Sequence, residues 1–584
     1  MTAQTHASRD SFHVQFVAMG DIESGWLGLG FLSAALKRID GVSVAAAYYA
    51  ASDMDRACEE IAALKPDLVG LPVLQANLKL VREFVRRTRA RLPSTHFTLG
   101  NREVSAQPEL MMTWCPEIDS AVFGEGEQTL AEIVLRLKER RPSEDCAGAC
   151  FRVDGKIRKN PARSVVRDLE RLGNPDRAVL PTEYNILLGQ KVHSVMTARG
   201  CTAFCTFCEM GRVKPGEMRV RSIAHVLDEV EALMREDGAT YILFSDDSFE
   251  DGDPVPGKRF DSLCEAIRER DLNFRFFLMC KANAITEESR RTLRDLKTTG
   301  LDMMFIGIES GNDADLKLYG KSARKQDNVQ ALEILADLGI SVHPGFIMFN
   351  PYSTFVRLRE NVEFLRTFGL LCSTSLVATR FRLYSGVPLT RKVFRDGLVE
   401  DGVDFPIAEG HGYRFQEPRV GHAWAGVQAL GTMPTTIDAI LNTHALTRWL
   451  TDTESPFRGD RLAEAFVSMF DEFWWRSNEA VASLVTRVFD MAEAGETDIA
   501  AKIAGDRART AESLGRSWTT VNKGGMLVRS LLSRQGLFPI RNHGPRDASR
   551  RELLETGADA MPDRVFRAWT QSRSESASAA SGPR

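Results

Sequence analysis

Residues 11–140 alternate short apolar runs with amphipathic ones. Phe12–Met19 (FHVQFVAM) reads as a strand, followed by a Gly-rich turn and an apolar helix over Leu29–Lys37. The alternation continues with strands at Ser43–Tyr49, Leu68–Leu74, His96–Leu99 and Ser120–Phe123. Helices fit between and after them at Met54–Leu64, Lys79–Arg91, Pro108–Thr113 and Thr129–Lys138. This order predicts a doubly wound α/β domain, a parallel sheet covered on both faces, with its ligand crevice at the carboxyl ends of the strands. Residues 141–190 read as a connector holding a hairpin over Phe151–Lys159 that turns at Asp154-Gly155.

A second alternating run occupies residues 191–394. Its strands are Ser194–Thr197, Tyr241–Phe244, Phe274–Met279, Met303–Ile308, Ser341–Met348 and Leu376–Phe381. Helices over Ile223–Met234, Arg259–Glu269, Glu288–Thr298, Asp327–Leu338 and Thr354–Phe368 separate them, which predicts a partial or complete α/β barrel. Residues 395–567 read as a mainly helical domain, with helices at Pro434–Trp449, Arg461–Trp475, Asn478–Ala494 and Ile499 to about Ser533. Trp424, Trp449, Trp474, Trp475 and Trp518 are expected to pack its core or to form an apolar lid over the barrel mouth. Residues 568–584, small and polar, are expected to be a disordered tail.

A chain of 584 residues has room for about three or four such domains. Its 75 Lys and Arg against 79 Asp and Glu leave no polybasic footprint, which argues against nucleic acid or an anionic membrane as partner. No apolar run reaches the roughly 18 residues of a membrane span. The opening MTAQTHASRDSFHVQF has neither a basic nor an apolar leader region. Ten cysteines in this length fit a reducing compartment, so a cytoplasmic location is expected.

Three of those cysteines fall in Cys201-Thr-Ala-Phe-Cys205-Thr-Phe-Cys208, a C-x3-C-x2-C spacing after a short apolar strand. Three soft thiolates this close suit three irons of a cubane, with the fourth iron left open. The alternatives are a zinc knuckle completed by a distant residue, or thiols packed by chance. Cys58, Cys115, Cys146, Cys150, Cys264, Cys280 and Cys372 are scattered and read as structural.

With Arg199-Gly200 before the first cysteine and Phe207 before the last, the segment resembles the radical S-adenosylmethionine (radical SAM) superfamily. The resemblance continues through Phe244-Ser-Asp246-Asp247, Phe305-Ile-Gly307-Ile-Glu309-Ser310-Gly311, Leu316, Tyr319-Gly320-Lys321 and Gly345–Thr354. It implies a [4Fe–4S] cluster on Cys201, Cys205 and Cys208, both metal ligands and catalytic residues. S-adenosylmethionine would bind the open iron, with Phe207 near the adenine, Asp246 and Asp247 at the methionine amino group, and Gly307 and Glu309 at the ribose or methionine portion. Asn350 and Tyr352-Ser353 depart from the Gly-x-Pro-Gly-Glu-Thr run that many relatives carry there. An external electron donor such as flavodoxin or ferredoxin is implied as partner.

The first domain resembles the cobalamin-binding domain that precedes many of these enzymes. The resemblance rests on Gly25–Leu36, Lys65-Pro66-Asp67-Leu-Val-Gly70, Thr98–Asn101 and Ile118–Glu127. It implies cobalamin contacts from Gly70, Leu71, Pro72, Gly100, Asn101, Gly124 and Glu125. The D-x-H-x-x-G signature is missing, and none of His6, His13, His96 and His193 sits in such a sequence. Binding is therefore expected without a histidine from that domain, and Gln75 and Asn77 are expected to satisfy polar groups in the crevice. The favoured activity is a cobalamin-dependent radical SAM methyltransferase acting on an unactivated centre of a small molecule or peptide in biosynthesis. Alternatives are a cobalamin-dependent cyclase or rearrangement enzyme without net methyl transfer, a radical SAM enzyme that has lost cobalamin, and a non-catalytic cofactor-binding regulator. Arg380, Arg382 and Tyr384, near the last predicted strand, are the candidate substrate contacts, with His411, Tyr413 and Arg414 less well placed.

Overall fold

The first strand, β1 (Phe12–Met19), turns Val14 and Phe16 to one face and Val17 and Met19 to the other, and all four are buried. In the computed structural model it lies second from the edge of a seven-stranded sheet. The structure describes residues 11–534 except 21–25, 182–191, 210–217, 252–254, 256, 404–409, 436, 452–454 and 456. The expected tail and the far end of the helical domain lie outside the described residues.

The sheet runs β2 (Val42–Tyr49), β1, β3 (Leu68–Pro72), β4 (His96–Gly100), β5 (Ser120–Val122), β6 (Ala149–Val153), β7 (Lys156–Lys159). The first five strands are parallel. Helices α1 (Leu27–Leu36) and α6 (Gly126–Lys138) cover the face of Val14 and Phe16. Helices α2 (Met54–Leu64), α3 (Leu78–Thr88) and α5 (Pro108–Trp114) cover the face of Val17 and Met19, and the short α4 (Arg102–Ala106) follows β4. Leu36, Ile61, Phe84 and Ile133 are 0% exposed, and full burial of such side chains contributes about 1.5–3 kcal/mol each. The strand order reverses between β1 and β3, so the crevice opens beside the carboxyl end of β3.

The boundary after this domain differs from expectation. The hairpin predicted in a connector is β6–β7, which continues the first sheet because β6 pairs antiparallel with β5. Cys150 and Phe151 on β6 are buried against the domain core, and that apolar face fixes the hairpin there.

The second domain holds β8 (Val192–Val195), β11 (Tyr241–Phe244), β12 (Arg275–Lys281), β13 (Leu301–Glu309) and β14 (Ser341–Phe346), parallel and in chain order. Helices α7 (Ile223–Asp237), α8 (Lys258–Glu269), α9 (Arg290–Thr298), α10 (Asp313–Leu318), α11 (Lys325–Asp337) and α12 (Phe355–Thr367) connect and follow them. The barrel is partial. The sixth strand predicted at Leu376–Phe381 is absent, and an isolated bridge from Phe349 to Arg380 stands in its place. Local hydroxyls compete with a ladder in that stretch: Thr379 donates to Leu376 O (2.7 Å), Thr374 to Gly431 O (2.6 Å) and Ser373 to Thr435 O (3.0 Å). A short helix, α13 (Pro388–Arg395), follows.

The last domain is built from α14 (Pro418–Leu430), α15 (Ile437–Thr451), α16 (Arg461–Glu493) and α17 (Ile499–Arg534). The two helices predicted at Arg461–Trp475 and Asn478–Ala494 are one continuous helix. Ser477 and Asn478 do not break it, because Asn478 is buried and bonded sideways to Leu371 N and Arg366 O (both 2.9 Å). Trp474 and Trp518 pack in this domain, Trp424 packs on Phe349 beyond β14, and Trp475 is exposed. The domain grips the barrel flank at α12 through Arg359 with Asp490 and Glu493, and through Arg366 with Glu479. Among the described residues no helix is long and apolar enough to cross a membrane.

Candidate active site

The three cysteines occupy a loop whose base is a two-stranded ribbon, β9 (Ala198–Arg199) paired antiparallel with β10 (Arg219–Val220). Asp246, at the end of β11, pins the entry to this loop. Its carboxylate accepts from Thr197 N (2.7 Å), Ala198 N (2.8 Å) and the Thr197 hydroxyl. Arg259 donates to Thr197 O (3.1 Å) and Oγ1 (2.7 Å) beside it. Burial pushes the Asp246 carboxyl up to about 6, against the pull of those donors. The middle of the loop is pinned by Thr206. Its N–H donates to Tyr319 O (2.8 Å), its hydroxyl to Leu318 O (2.7 Å), and its carbonyl accepts from Leu389 N (2.9 Å). Gly320, at φ 64°, allows this approach, since a Cβ there would lie 3.0 Å from Thr206 Cγ2.

All ten cysteines are free thiols, and only Cys201, Cys205 and Cys208 are partly exposed. Two ammonium groups stand close by. Lys281 Nζ donates to Thr202 Oγ1 (2.9 Å) and pairs with Asp251 (2.5 Å), and Asp251 lies 3.9 Å from Cys201 Sγ. Lys321 Nζ donates to Gly307 O (3.0 Å) and stands 3.8 Å from Glu309. Burial raises the Cys205 thiol and Lys321 draws it back. Accessible soft donors beside positive charge fit a polynuclear iron–sulfur cluster. Among the described residues no three His, Cys, Asp or Glu side chains gather around one metal-ion position.

The expected S-adenosylmethionine residues divide. Asp246 is 2% exposed and fully engaged with the cysteine loop, whereas Asp247 is exposed in the cleft, facing Arg102 of the first domain. Phe207 meets Tyr319 edge-on, with ring centroids 5.5 Å apart. Glu309 sits at φ 64°, where the register with β14 slips after Gly307. The bulge lifts its carboxylate out of the ladder towards Lys321 and Cys205. A Cβ on Gly307 would lie 3.0 Å from both Glu309 Oε1 and Lys321 Nζ, so glycine leaves the room they occupy. Asn350 is fully buried, donating to Tyr319 OH (2.9 Å) and Asp315 (3.2 Å), which makes it a support of the site.

The first domain covers the strand ends of the barrel, a place expected for the C-terminal helices. Gln75 Nε2 donates to Leu383 O (2.7 Å), and Arg102 faces both Asp247 and Tyr384. On its own crevice the expected cobalamin residues also divide. Gly100 and Gly124 have open space where a Cβ would stand, and Asn101 caps α4 at φ 86°. Asn77 ties Leu74 N to Met19 O and Pro72 O. Gly70 and Leu71 lie inside β3, and Pro72 is buried at its end. A Cβ on Gly70 would meet Phe16 at 2.7 Å, so that glycine serves packing. Gly70→Ala should therefore cost about 1–3 kcal/mol by overpacking, and Gly100→Ala should stay within about 0.5 kcal/mol of the parent, as read by thermal melting. The crest at Gly100 and Gly124 is left open. The described histidines of this domain, His13 and His96, sit at the other ends of β1 and β4, away from it.

Two further placements differ from expectation. Glu125 has both carboxylate oxygens engaged, with Arg199, Arg219 and Val166 N. Arg380 donates to Tyr413 O (2.7 Å), with its guanidinium 4.0 Å from the Tyr413 ring and 5.1 Å from that of Trp424, so it is a packing cation. Arg382 and Tyr384 remain at the cleft, Tyr384 beside Cys208. Lys281 and Asp251 carried no motif in the sequence, because folding alone brings them to Cys201, as it brings Arg102 to Asp247 and Tyr384.

The comparisons with known proteins agree with this arrangement. The Radical SAM superfamily model matches residues 195–365, and the B12 binding domain model matches residues 22–134. An uncharacterized methyltransferase of Pyrococcus horikoshii is 24% identical over 355 residues, covering 61% of this chain and 76% of the relative. The anaerobic magnesium-protoporphyrin IX monomethyl ester cyclase of Rubrivivax gelatinosus is 26% identical over 318 residues, covering 53% of this chain and 56% of the relative. This chain thus spans little more than half of that cyclase. The fold is similar to that of the cobalamin-dependent S-adenosylmethionine radical enzyme OxsB, solved with aqua-cobalamin and S-adenosylmethionine bound. That likeness has a TM-score of 0.64 and 18% identity, and covers 94% of this chain and 84% of the other. With a B12-binding domain fused to a radical SAM domain, the chain belongs to the radical SAM enzymes whose cofactors are an iron–sulfur cluster, S-adenosylmethionine and cobalamin.

Proposed function

We propose that this radical SAM enzyme uses cobalamin to cyclise or rearrange a small-molecule or peptide substrate in biosynthesis, without net methyl transfer. The observation that carries the reading is the fold match that runs through the helical C-terminal domain, over 94% of the chain, to the cobalamin-dependent S-adenosylmethionine radical enzyme OxsB. The similarity to a cyclase supports it further. The similarity to the methyltransferase of Pyrococcus horikoshii favours a second reading, in which a methyl group reaches the product.

When bound, the cluster and S-adenosylmethionine supply hydrogen abstraction from an inert position, and cobalamin supplies a second one-electron or methyl-carrying centre. The chain's own residues orient and enclose. Asp246 and Thr206 hold the cysteine loop at its entry and middle. Asp247 and Glu309 present carboxylates for the amino and hydroxyl groups of S-adenosylmethionine. Gln75 and Arg102 bring the first domain over the strand ends and so keep water from the cleft. Arg382 and Tyr384 stand where a substrate would meet the cluster side, and a flavodoxin or ferredoxin would supply electrons.

The test uses S-adenosylmethionine with a deuterated methyl group. Release of 5'-deoxyadenosine with an unlabelled product is the expected result. Deuterium in the product would establish the methyltransferase reading.

A further inference from the structure

The ribbon at the base of the cysteine loop sets Arg199 directly opposite Arg219. Like charges in that position repel, and both side chains are largely buried, 18% and 10% exposed. Among the described residues the acids paired with both come from the first domain. Arg199 Nη2 lies 2.5 Å from Glu127 Oε1, and its Nη1 lies 3.5 Å from Glu125 Oε1. Arg219 Nη2 lies 2.6 Å from the same Glu125 oxygen. The bridge is buttressed on each side. Glu125 accepts from Val166 N (3.0 Å), Arg219 donates to Val166 O (2.7 Å), and the Arg199 guanidinium stands 5.3 Å from the Phe31 ring of α1. Glu125 and Glu127 flank Gly126 at the start of α6, so both carboxylates are carried on the rigid sheet-to-helix corner that also borders the crevice.

Ala198–Arg199 precede the cysteines and Arg219–Val220 follow them, so the bridge grips the loop at both of its ends. We infer that Glu125 and Glu127 are positioning residues that register the cluster-bearing loop against the first domain. They set the alignment of cluster and crevice without holding either cofactor. The inference rests on the assignment of the cysteine loop to the cluster and is independent of the net reaction.

The experiment compares Glu125→Gln/Glu127→Gln with Glu125→Asp/Glu127→Asp in the full-length chain, reconstituted anaerobically with iron, sulfide and cobalamin. The glutamine pair should keep its iron and cobalamin. It should lose the magnetic interaction between cob(II)alamin and the reduced cluster, and release 5'-deoxyadenosine from S-adenosylmethionine and dithionite about tenfold to a hundredfold more slowly. The aspartate pair should recover part of both. In the cluster-free chain, iodoacetamide should alkylate Cys201, Cys205 and Cys208 several-fold faster in the glutamine pair, with the seven buried thiols unchanged. Should the double variant not fold, Glu127→Gln alone carries the same readouts. Parental spin interaction and rate in the glutamine pair would overturn the inference. Loss of cobalamin alone would overturn it as well, making Glu125 a cofactor contact. Loss of iron in the cysteine variants but not in the parent leaves the cluster assignment standing whatever the glutamates do.

Discussion

Replacement of Cys201, Cys205 and Cys208 together by alanine should abolish the cluster absorbance and reduce 5'-deoxyadenosine formation to background. The effect is expected to be all-or-none, because these are the only partly exposed thiols in the chain. The other seven are buried and cannot substitute. Burial pushes the Cys150 thiol up to about 12 and the Cys146 thiol up to about 11. The parent should hold about four irons per chain. A reproducible value near eight would reveal a second cluster, and a triple variant that still assembles a cubane and cleaves S-adenosylmethionine would sink the assignment.

Asp246→Ala should be the most damaging change among the residues that touch no cysteine. It leaves the N–H groups of Thr197 and Ala198 without their acceptor and removes the carboxylate facing Arg259. Loss of a buried charged acceptor of this kind costs about 3–5 kcal/mol. Thermal melting should drop accordingly, and the reconstituted protein should hold less iron because the entry to the cysteine loop is no longer fixed. Asp247→Ala next to it should melt within about 0.5 kcal/mol of the parent, since that side chain is exposed in the cleft. It should still weaken binding of S-adenosylmethionine. Equal melting of the two variants would show that the adjacent carboxylates do not divide their roles in this way.

Much of the fold is legible from periodicity. The bounds of β1 and β11 coincide with the largely apolar runs Phe12–Met19 and Tyr241–Phe244, because a strand covered on both faces is a near-continuous apolar segment, broken in β1 by His13 and Gln15. Leu376–Phe381 has the same composition but forms no strand, since Ser373, Thr374 and Thr379 spend their hydroxyls on nearby carbonyls. The break placed between Trp475 and Asn478 fails for a related reason, as Asn478 finds its partners outside the helix.

At the site, the cysteines were readable because all three ligands lie on one loop. The division between Asp246 and Asp247 was not, because adjacent residues at a strand end point to opposite sides and only the fold says which side holds the loop. Gly70 and Glu125 show the limit of a motif match. The first faces Phe16 and the second faces two arginines from the other domain, contacts that arise only when distant segments meet. Arg102 and Lys281 reach the cleft the same way and leave no trace in local sequence.

The central claim is that one cleft lies between a cluster-bearing loop and a cobalamin-bearing crevice whose own domain supplies no imidazole. Electron paramagnetic resonance of the full-length chain, reconstituted with cluster and cobalamin, desalted and reduced, tests it most directly. The account predicts a retained cob(II)alamin signal without nitrogen superhyperfine splitting from imidazole, together with the signal of one reduced [4Fe–4S] cluster. A desalted protein that retains no cobalamin, or a cob(II)alamin signal split by an imidazole nitrogen, would contradict it.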